Sequence, residues 1–209
     1  MSPRVEMTLF WVCVSLATLF FLCLFLYGPV KRFLFSRNAT LVHYRTVRRV
    51  TLDNDYYLIN RWEAGIGSGV NEGVHIDHII FGDKFIYVIK DRYYSGAIKG
   101  EMDDKSWVLY QGKGKRIVKN PVALNRIRAD RLSMVSGLNR SFFISIVLVN
   151  DDCMVIPFAK NGPDDYIISA SKLGKFIESQ EKREDVPPFS ADDLATAVRD
   201  LAALNHNVR

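Results

Sequence analysis

The first hydrophobic segment of the chain is a long uncharged run near the N-terminus. Every residue from Thr8 to Tyr27 is uncharged, and most are Leu, Phe, Val, Trp or Cys. About 20 apolar residues in a helix match the thickness of the hydrocarbon core of a bilayer. The run therefore predicts a transmembrane helix, which we expect Gly28-Pro29 to end. A cleaved signal peptide is the alternative, but its apolar region usually has only about 7–15 residues, and no A-x-A-like cleavage site follows here.

Beyond this run, short apolar segments separated by turn residues predict one α/β (α+β) domain. An almost wholly apolar strand is typical of the middle of a sheet that is covered on both faces, and Asn-Pro is typical of a helix start. The predicted strands are 55–62, 74–81, 85–90, 97–100, 106–111, 116–118, 141–149 and 153–158. The predicted helices are 38–50, 121–136, 173–181 and one that opens at Ser190, and the four glycines of 64–73 predict a loop. We expect a mixed sheet with helices packed against it.

The charged residues suggest the orientation of the chain and its division into parts. Six cations follow the apolar run before the first carboxylate at Asp53: Lys31, Arg32, Arg37, Arg45, Arg48 and Arg49. Positively charged flanks tend to stay in the cytoplasm, so we expect the N-terminus outside and the domain in the cytoplasm. We divide the chain into a tail and transmembrane helix (1–30), a basic juxtamembrane stalk (31–52) and a domain (53–209). Helix 38–50 has two interpretations, a basic helix at the membrane surface or a stalk.

The same cations account for the basicity of the chain. Its net charge is +5, Arg4 and Glu6 cancel, and without the six cations residues 50–209 carry about −1. Any nucleic-acid surface must therefore be a local patch. Cys13 and Cys23 lie in the apolar run and Cys153 stands alone, so the cysteines can form neither a disulfide framework nor a zinc site.

Three separated motifs resemble those of a known family. They are HIDHIIFGDKFIYVIKDRYYSGAIKG (75–100), the lone Trp107, and KNPVALN (119–125). In order and spacing they resemble the NERD (nuclease-related) domain, a branch of the PD-(D/E)xK nuclease-like fold, over about residues 55–149. The resemblance implies a restriction-endonuclease-like mixed-sheet domain with a past or present link to nucleic-acid processing.

Within these motifs, the chain departs from the family pattern at the catalytic positions. The pattern has an Asp in the first strand, a Glu-x-Lys that ends the second strand, and a Tyr-x-Gly after it. Asp77 matches the first position, but Lys90 stands where the Glu belongs and Arg92 where the Lys belongs. Tyr94 and Gly96 match the Tyr-x-Gly. In the third motif, Asn125 stands at a position often held by Gln.

These departures predict a degenerate active site. Hydrolysis of this type needs Mg²⁺ or Mn²⁺ held by carboxylates, so we expect such an ion only if the nuclease centre is retained. Residues two apart on a strand share a face, so Lys90 and Arg92 should point toward Asp77 while Asp91 points away. An ion pair would then replace the metal. A β-bulge that turns Asp91 inward is the fallback, and Glu63, Glu72 or Glu101 could also supply a displaced ligand. Of the two histidines beside Asp77, His75 should be partly exposed and His78 packed.

Three functions remain open from the sequence. The near-neutral domain favours a protein-interaction subunit of a membrane-associated assembly. The first alternative is a tethered nucleic-acid-binding module that uses Lys90, Arg92, Arg126 and Arg128 to bind DNA or RNA. The second is an active metal-dependent nuclease. Metal ligands other than these fallback carboxylates are not predicted.

Overall fold

The computed structural model describes residues 3–37, 39–64, 73–156 and 165–205. Most of the predicted loop 64–73, including Glu72, and the end of predicted strand 153–158 lie outside the described residues. The chain forms two compact units, Met1–Asn38 and Ala39–Arg209.

The first unit is one helix, α1 (Pro3–Arg37). Its segment Met7–Val30 is long and apolar enough to cross a membrane, and length and composition alone also fit a signal sequence. The prediction that Gly28-Pro29 ends the helix is wrong, because the helix continues through Pro29. A proline lacks the backbone N–H and so removes one hydrogen bond of the helix. Long apolar helices of the membrane-spanning kind tolerate proline at interior positions.

The described residues of the second unit form two mixed sheets with four α-helices, which confirms the predicted fold class. Its strands are β1 (Tyr57–Ala64), β2 (Val74–Phe81), β3 (Ile86–Arg92), β4 (Ala97–Lys99), β5 (Ser106–Gln111), β6 (Gly114–Lys119), β7 (Phe143–Val149), β8 (Met154–Val155) and β9 (Asp165–Ser169). Its helices are α2 (Ala39–Asp53), α3 (Pro121–Ser136), α4 (Leu173–Glu181) and α5 (Ala191–Ala203). The larger sheet has the order β1-β2-β3-β7-β9, and the smaller one β6-β5-β4-β8.

Strands β3 and β7 form the parallel centre of the larger sheet, and both faces of this centre are covered. Val88 packs in a cluster with Leu132 of α3 and Leu201 of α5. Its neighbour Ile89 packs in another cluster with α2 and α4. This two-sided burial explains why β7 is almost wholly apolar and why β3 is apolar as far as Ile89. Strand β9 was not predicted from the sequence, and it extends the sheet beside β7.

Helix α2 belongs to the compact unit that contains both sheets. Val47 is fully buried and Val50 is 8% exposed, and both pack in the cluster that contains Ile89 and Leu173. The helix therefore covers the larger sheet from one side. Two apolar residues three apart lie on the same helix face, which is enough to dock a helix whose other side chains are polar.

Candidate active site

Asp77 and Lys90 meet between the antiparallel strands β2 and β3. Lys90 Nζ lies 2.8 Å from Asp77 Oδ1, and both residues are buried. This is the ion pair expected from the alternation of side chains along β3. The ammonium group therefore supplies at Asp77 the positive charge that a divalent ion supplies in a metal-dependent nuclease.

Three groups of the protein contact the two carboxylate oxygens of Asp77. Besides Lys90, His75 Nε2 lies 3.0 Å from Asp77 Oδ1, and the backbone N–H of Asp91 donates to Oδ2 at 2.9 Å. Burial by itself would raise the pKa of Asp77, but the hydrogen bonds from His75 and Lys90 outweigh it and hold the pKa well below its usual range. Asp77 is therefore a carboxylate throughout the neutral range.

His75 links this ion pair to a second carboxylate, Glu63 on β1. His75 Nδ1 lies 2.7 Å from Glu63 Oε1, so the imidazole bridges Glu63 and Asp77. The hydrogen bond to Asp77 raises the pKa of His75, while partial burial opposes it. The side chain of His75 is 44% exposed, as the sequence predicts. The bridge itself was missed, because the pairing of Glu63 with His75 depends on a register that the intervening glycine-rich segment conceals.

Asp91, the fallback ligand, has its side chain on the other face of β3. Its Oδ2 lies 2.9 Å from Nε2 of the buried His78, whose Nδ1 lies 2.7 Å from Asn60 Oδ1. Burial raises the pKa of Asp91, and the neighbouring His78 only partly offsets this. Strand β3 pairs with β7 in one register from Ile86 to Arg92, so the β-bulge that would turn Asp91 inward is absent from this ladder. Asp91 therefore does not complete a carboxylate pair with Asp77.

Two arginines join Lys90 in what we call the cationic cluster, defined as Lys90, Arg92 and Arg128. Arg128 projects from α3, and its Nε donates to the backbone oxygen of His75 at 3.1 Å. Burial lowers the pKa of Lys90, and the nearby positive charges of Arg92 and Arg128 lower it further, while Asp77 raises it. Neither arginine forms an ion pair with a carboxylate among the described residues. The cluster therefore has more positive charge than Asp77 balances.

The other two site residues predicted on α3, Asn125 and Arg126, lie outside the cationic cluster. Arg126 forms an ion pair with Asp165 of β9 at 2.5 Å, so it is not part of the cationic cluster. Asn125 is fully buried, and its Nδ2 donates to the backbone oxygens of Val88 at 2.9 Å and Ile146 at 3.1 Å. Asn125 thus fixes α3 against β3 and β7, which places Arg128 beside the Asp77 site.

The Tyr-x-Gly after β3 has a structural explanation. Gly96 has a φ of 146°, and a Cβ there would lie 2.0 Å from the backbone oxygen of Tyr110. Tyr94 is buried, and its N–H donates to Asn150 Oδ1 at 2.8 Å. Only glycine avoids the collision with the Tyr110 oxygen, so Gly96 allows β5 to approach the chain after β3. The hydrogen bond from Tyr94 fixes the same segment to Asn150.

Comparison with protein families matches the model of the nuclease-related domain (NERD) to residues 41–150. The chain belongs to this family. No curated protein and no solved structure matches the chain. The PD-(D/E)xK fold is the general kind for NERD domains, and the mixed sheet described above carries the family motifs on β2, β3 and the start of α3.

The donor atoms of this NERD domain do not fit the divalent ion that nucleases of this fold use. Such ions need several carboxylate or carbonyl oxygens, whereas the buried side chain that contacts Asp77 from β3 is a lysine. Glu63 bonds to His75 instead, and Glu101 belongs to the turn after β4, where its backbone oxygen accepts from Trp107. Within the described ranges, no group of three His, Cys, Asp or Glu residues is placed to hold a metal.

Proposed function

We propose that this NERD domain is a catalytically degenerate nuclease fold, tethered to a membrane, which binds nucleic-acid phosphates without hydrolysing them. The observation that carries the proposal is the 2.8 Å contact between Lys90 Nζ and Asp77 Oδ1. A metal at this position polarises the phosphate and activates water. An ammonium group can neutralise Asp77 and attract a phosphate, but it cannot activate water as a Lewis acid.

The excess positive charge of the site supports an anionic ligand. Lys90, Arg92 and Arg128 lie close enough for Arg92 and Arg128 to depress the pKa of Lys90. Asp77 is shared by Lys90 and His75, so it does not neutralise the arginines. A phosphodiester can accept hydrogen bonds from two guanidinium groups at once, and this would relieve their repulsion. The proposed nucleic-acid residues are therefore Lys90, Arg92 and Arg128, with Arg126 contributing only if its ion pair with Asp165 opens.

The candidate membrane helix and its flanking charges support the rest of the proposal. Met7–Val30 is long enough to anchor the chain, and the cations that follow it favour a cytoplasmic domain with the N-terminus outside. Lys31, Arg32 and Arg37, which follow the apolar segment within α1, would also attract anionic headgroups. The domain would thus hold its ligand near the inner surface of the membrane.

The binding part of this proposal is tested by the salt dependence of affinity. The full chain in detergent is titrated with labelled single- and double-stranded DNA and RNA in EDTA, and log Kd is plotted against log salt. We expect binding without metal, with a slope that falls by about one when Arg128 is replaced by Gln, because each phosphate contact releases roughly one counterion.

Arg199→Gln serves as the matched control, because this arginine is exposed on α5 and lies outside the cationic cluster. It should leave both affinity and slope unchanged. Equal loss in Arg128→Gln and Arg199→Gln would mean that binding follows net charge alone. No binding of any nucleic acid would contradict the proposal.

A second candidate is the protein-interaction subunit that the near-neutral domain favours, and a cleft beside α5 supports it. The cleft has a volume of about 280 Å³, and its lining includes the apolar residues Leu138, Phe142, Phe189 and Ala197. The exposed residues Asp193 and Asp200 also line it. A partner that inserts an apolar side chain flanked by Lys or Arg would match this surface.

This candidate is tested by the size of the complex that the full chain forms in its native membrane. Thr196 lines the cleft, and Thr196→Arg would obstruct it, whereas Ala195→Arg on the same helix does not replace a lining residue. We expect Thr196→Arg, but not Ala195→Arg, to reduce the mass of the complex on a native gel. An unchanged mass in both variants would remove the support for this candidate.

A further inference from the structure

The smaller sheet has one buried face and one exposed face, and its register fixes which side chains share each face. Directly paired residues on adjacent strands point to the same side. On the inner side, Ile98, Trp107 and Leu109 are at most 1% exposed. On the outer side, Ala97 pairs with Tyr110 and with Met154.

The outer side continues across β5 and β6 with a repeated combination of residue types. The further pairs on this side are Lys99 with Val108, Val108 with Ile117, Tyr110 with Lys115, and Ser106 with Lys119. We call this surface the lysine face, defined by Lys99, Lys115 and Lys119 together with Tyr110, Ile117 and Met154. Its strand positions carry no carboxylate among the described residues.

Both the lysines and the apolar side chains of this face are available for contact. Ile117 is 76% exposed, Met154 67% and Tyr110 40%. The three lysines are exposed, and no ion pair or side-chain hydrogen bond engages them within the described part of the chain. The lysine face thus exposes apolar side chains, Ile117 above all, beside unpaired lysines. Such a surface suits a partner that is both anionic and apolar.

We propose that the lysine face binds an anionic lipid surface. Lysine ammonium groups reach phosphate headgroups while their methylene stems and the side chains of Ile117 and Met154 enter the boundary with the acyl chains. Tyrosine is typical of the same interface. A nucleic-acid strand would be expected to stack on several aromatic rings, whereas this face has Tyr110 and two prominent aliphatic side chains.

This inference is independent of the function proposed for the Asp77 site, although a tether would assist it. A membrane anchor in the same chain raises the effective lipid concentration at the domain, so a weak face can be occupied. The lysine face uses none of the residues of the cationic cluster. Loss of lipid binding would therefore leave nucleic-acid binding at that cluster intact.

The test uses the full chain reconstituted through its N-terminal helix into lipid nanodiscs. Cys13, Cys23 and Cys153 are replaced by Ala, and Ile117→Cys carries an environment-sensitive fluorophore. Quenching by spin-labelled acyl chains is measured in phosphatidylcholine discs with and without phosphatidylserine. Ala195→Cys, on an exposed position of α5, is labelled in parallel as the control.

We expect phosphatidylserine to increase quenching at position 117 about twofold or more, relative to discs without it. Quenching at position 195 should change little, and high salt should abolish the increase at position 117. Replacing Lys99, Lys115 and Lys119 by Gln should abolish the increase. Replacing Lys172, Lys175 and Lys182 by Gln should not. Quenching that is independent of phosphatidylserine, or a label at position 117 that responds to added RNA instead, would overturn the proposal.

Discussion

At Asp77, the ammonium group of Lys90 contacts a buried carboxylate that a divalent ion would neutralise in a metal-dependent nuclease. Lys90 and His75 both contact Oδ1, at 2.8 Å and 3.0 Å. A buried charge without a partner is costly, so the contact with Lys90 stabilises the charged form of Asp77. The same contact gives Asp77 a positively charged partner without a metal ion.

Restoring the family pattern should restore metal binding. In the double variant Lys90→Glu with Arg92→Lys, Asp77 regains a second carboxylate on the same side of the sheet and loses its lysine. Mn²⁺ should then raise the Tm by about 5 °C at about 100 times its Kd, because a ligand that binds only the folded state stabilises it by mass action. The measurement is thermal unfolding of both proteins with increasing Mn²⁺.

Asp77→Asn in the double variant is the control for this experiment, and it should remove the shift in Tm. Wild-type protein should show no shift. An equal response to Mn²⁺ in the wild type and the double variant would show that Lys90 does not exclude the metal.

The raised pKa of His75 predicts a pH dependence of stability. A group whose pKa is higher in the folded state contributes stability at pH values below its unfolded pKa, about 6.5, and this contribution is lost as the pH rises through the folded pKa. The difference in free energy of unfolding between wild type and His75→Gln should therefore be largest below about pH 6.5 and decrease above it. Urea unfolding from pH 5.5 to 9 measures this difference and cancels the titration of His43 and Asp91. A difference that is constant across this range would refute the assigned bridge.

Among the elements, α2 bears most directly on where the domain begins. Its charged residues suggest a stalk or a membrane surface helix, but Val47 and Val50 pack in the core together with Leu173 of α4. The matched family region also begins within α2, at residue 41. The helix therefore packs with the sheets in one compact unit, and the boundary at residue 53 stays a prediction.

Val47→Ala should destabilise the domain by about 2 kcal/mol, because it removes two buried methyl groups and leaves a cavity. Leu52→Ala removes a larger side chain from the same helix, but Leu52 is 68% exposed, so its effect should be below about 0.5 kcal/mol. The free energy of unfolding in urea measures both. Equal effects of the two substitutions would indicate that α2 is not part of the core.

The sequence predicts local features well and long-range pairings poorly. Helix α3 begins after Asn120 as predicted, because the side chain of Asn120 accepts hydrogen bonds from the backbone of Val122 and Ala123. The Lys90 contact follows from the alternation of one strand. The bridge from Glu63 to His75 and the addition of β9 depend on how separate segments pair, which neither composition nor periodicity specifies.

For the whole molecule, the positions of the charged residues say more about its binding partners than the net charge does. Residues 50–209 are nearly neutral, yet the cationic cluster brings Lys90, Arg92 and Arg128 close together. The lysine face gathers three more cations on the smaller sheet. A near-neutral domain with two such patches fits selective contact with anions better than general attraction to them.

The most direct test is one cleavage and binding assay on the full chain in detergent. Labelled DNA and RNA, single- and double-stranded, are incubated with the protein in EDTA and then with Mg²⁺ or Mn²⁺. The account predicts intact substrate in every condition and metal-independent binding that weakens in Lys90→Ala. Metal-dependent cleavage that disappears in Asp77→Ala would contradict it, because Asp77 would then hold a catalytic ion despite its contact with Lys90.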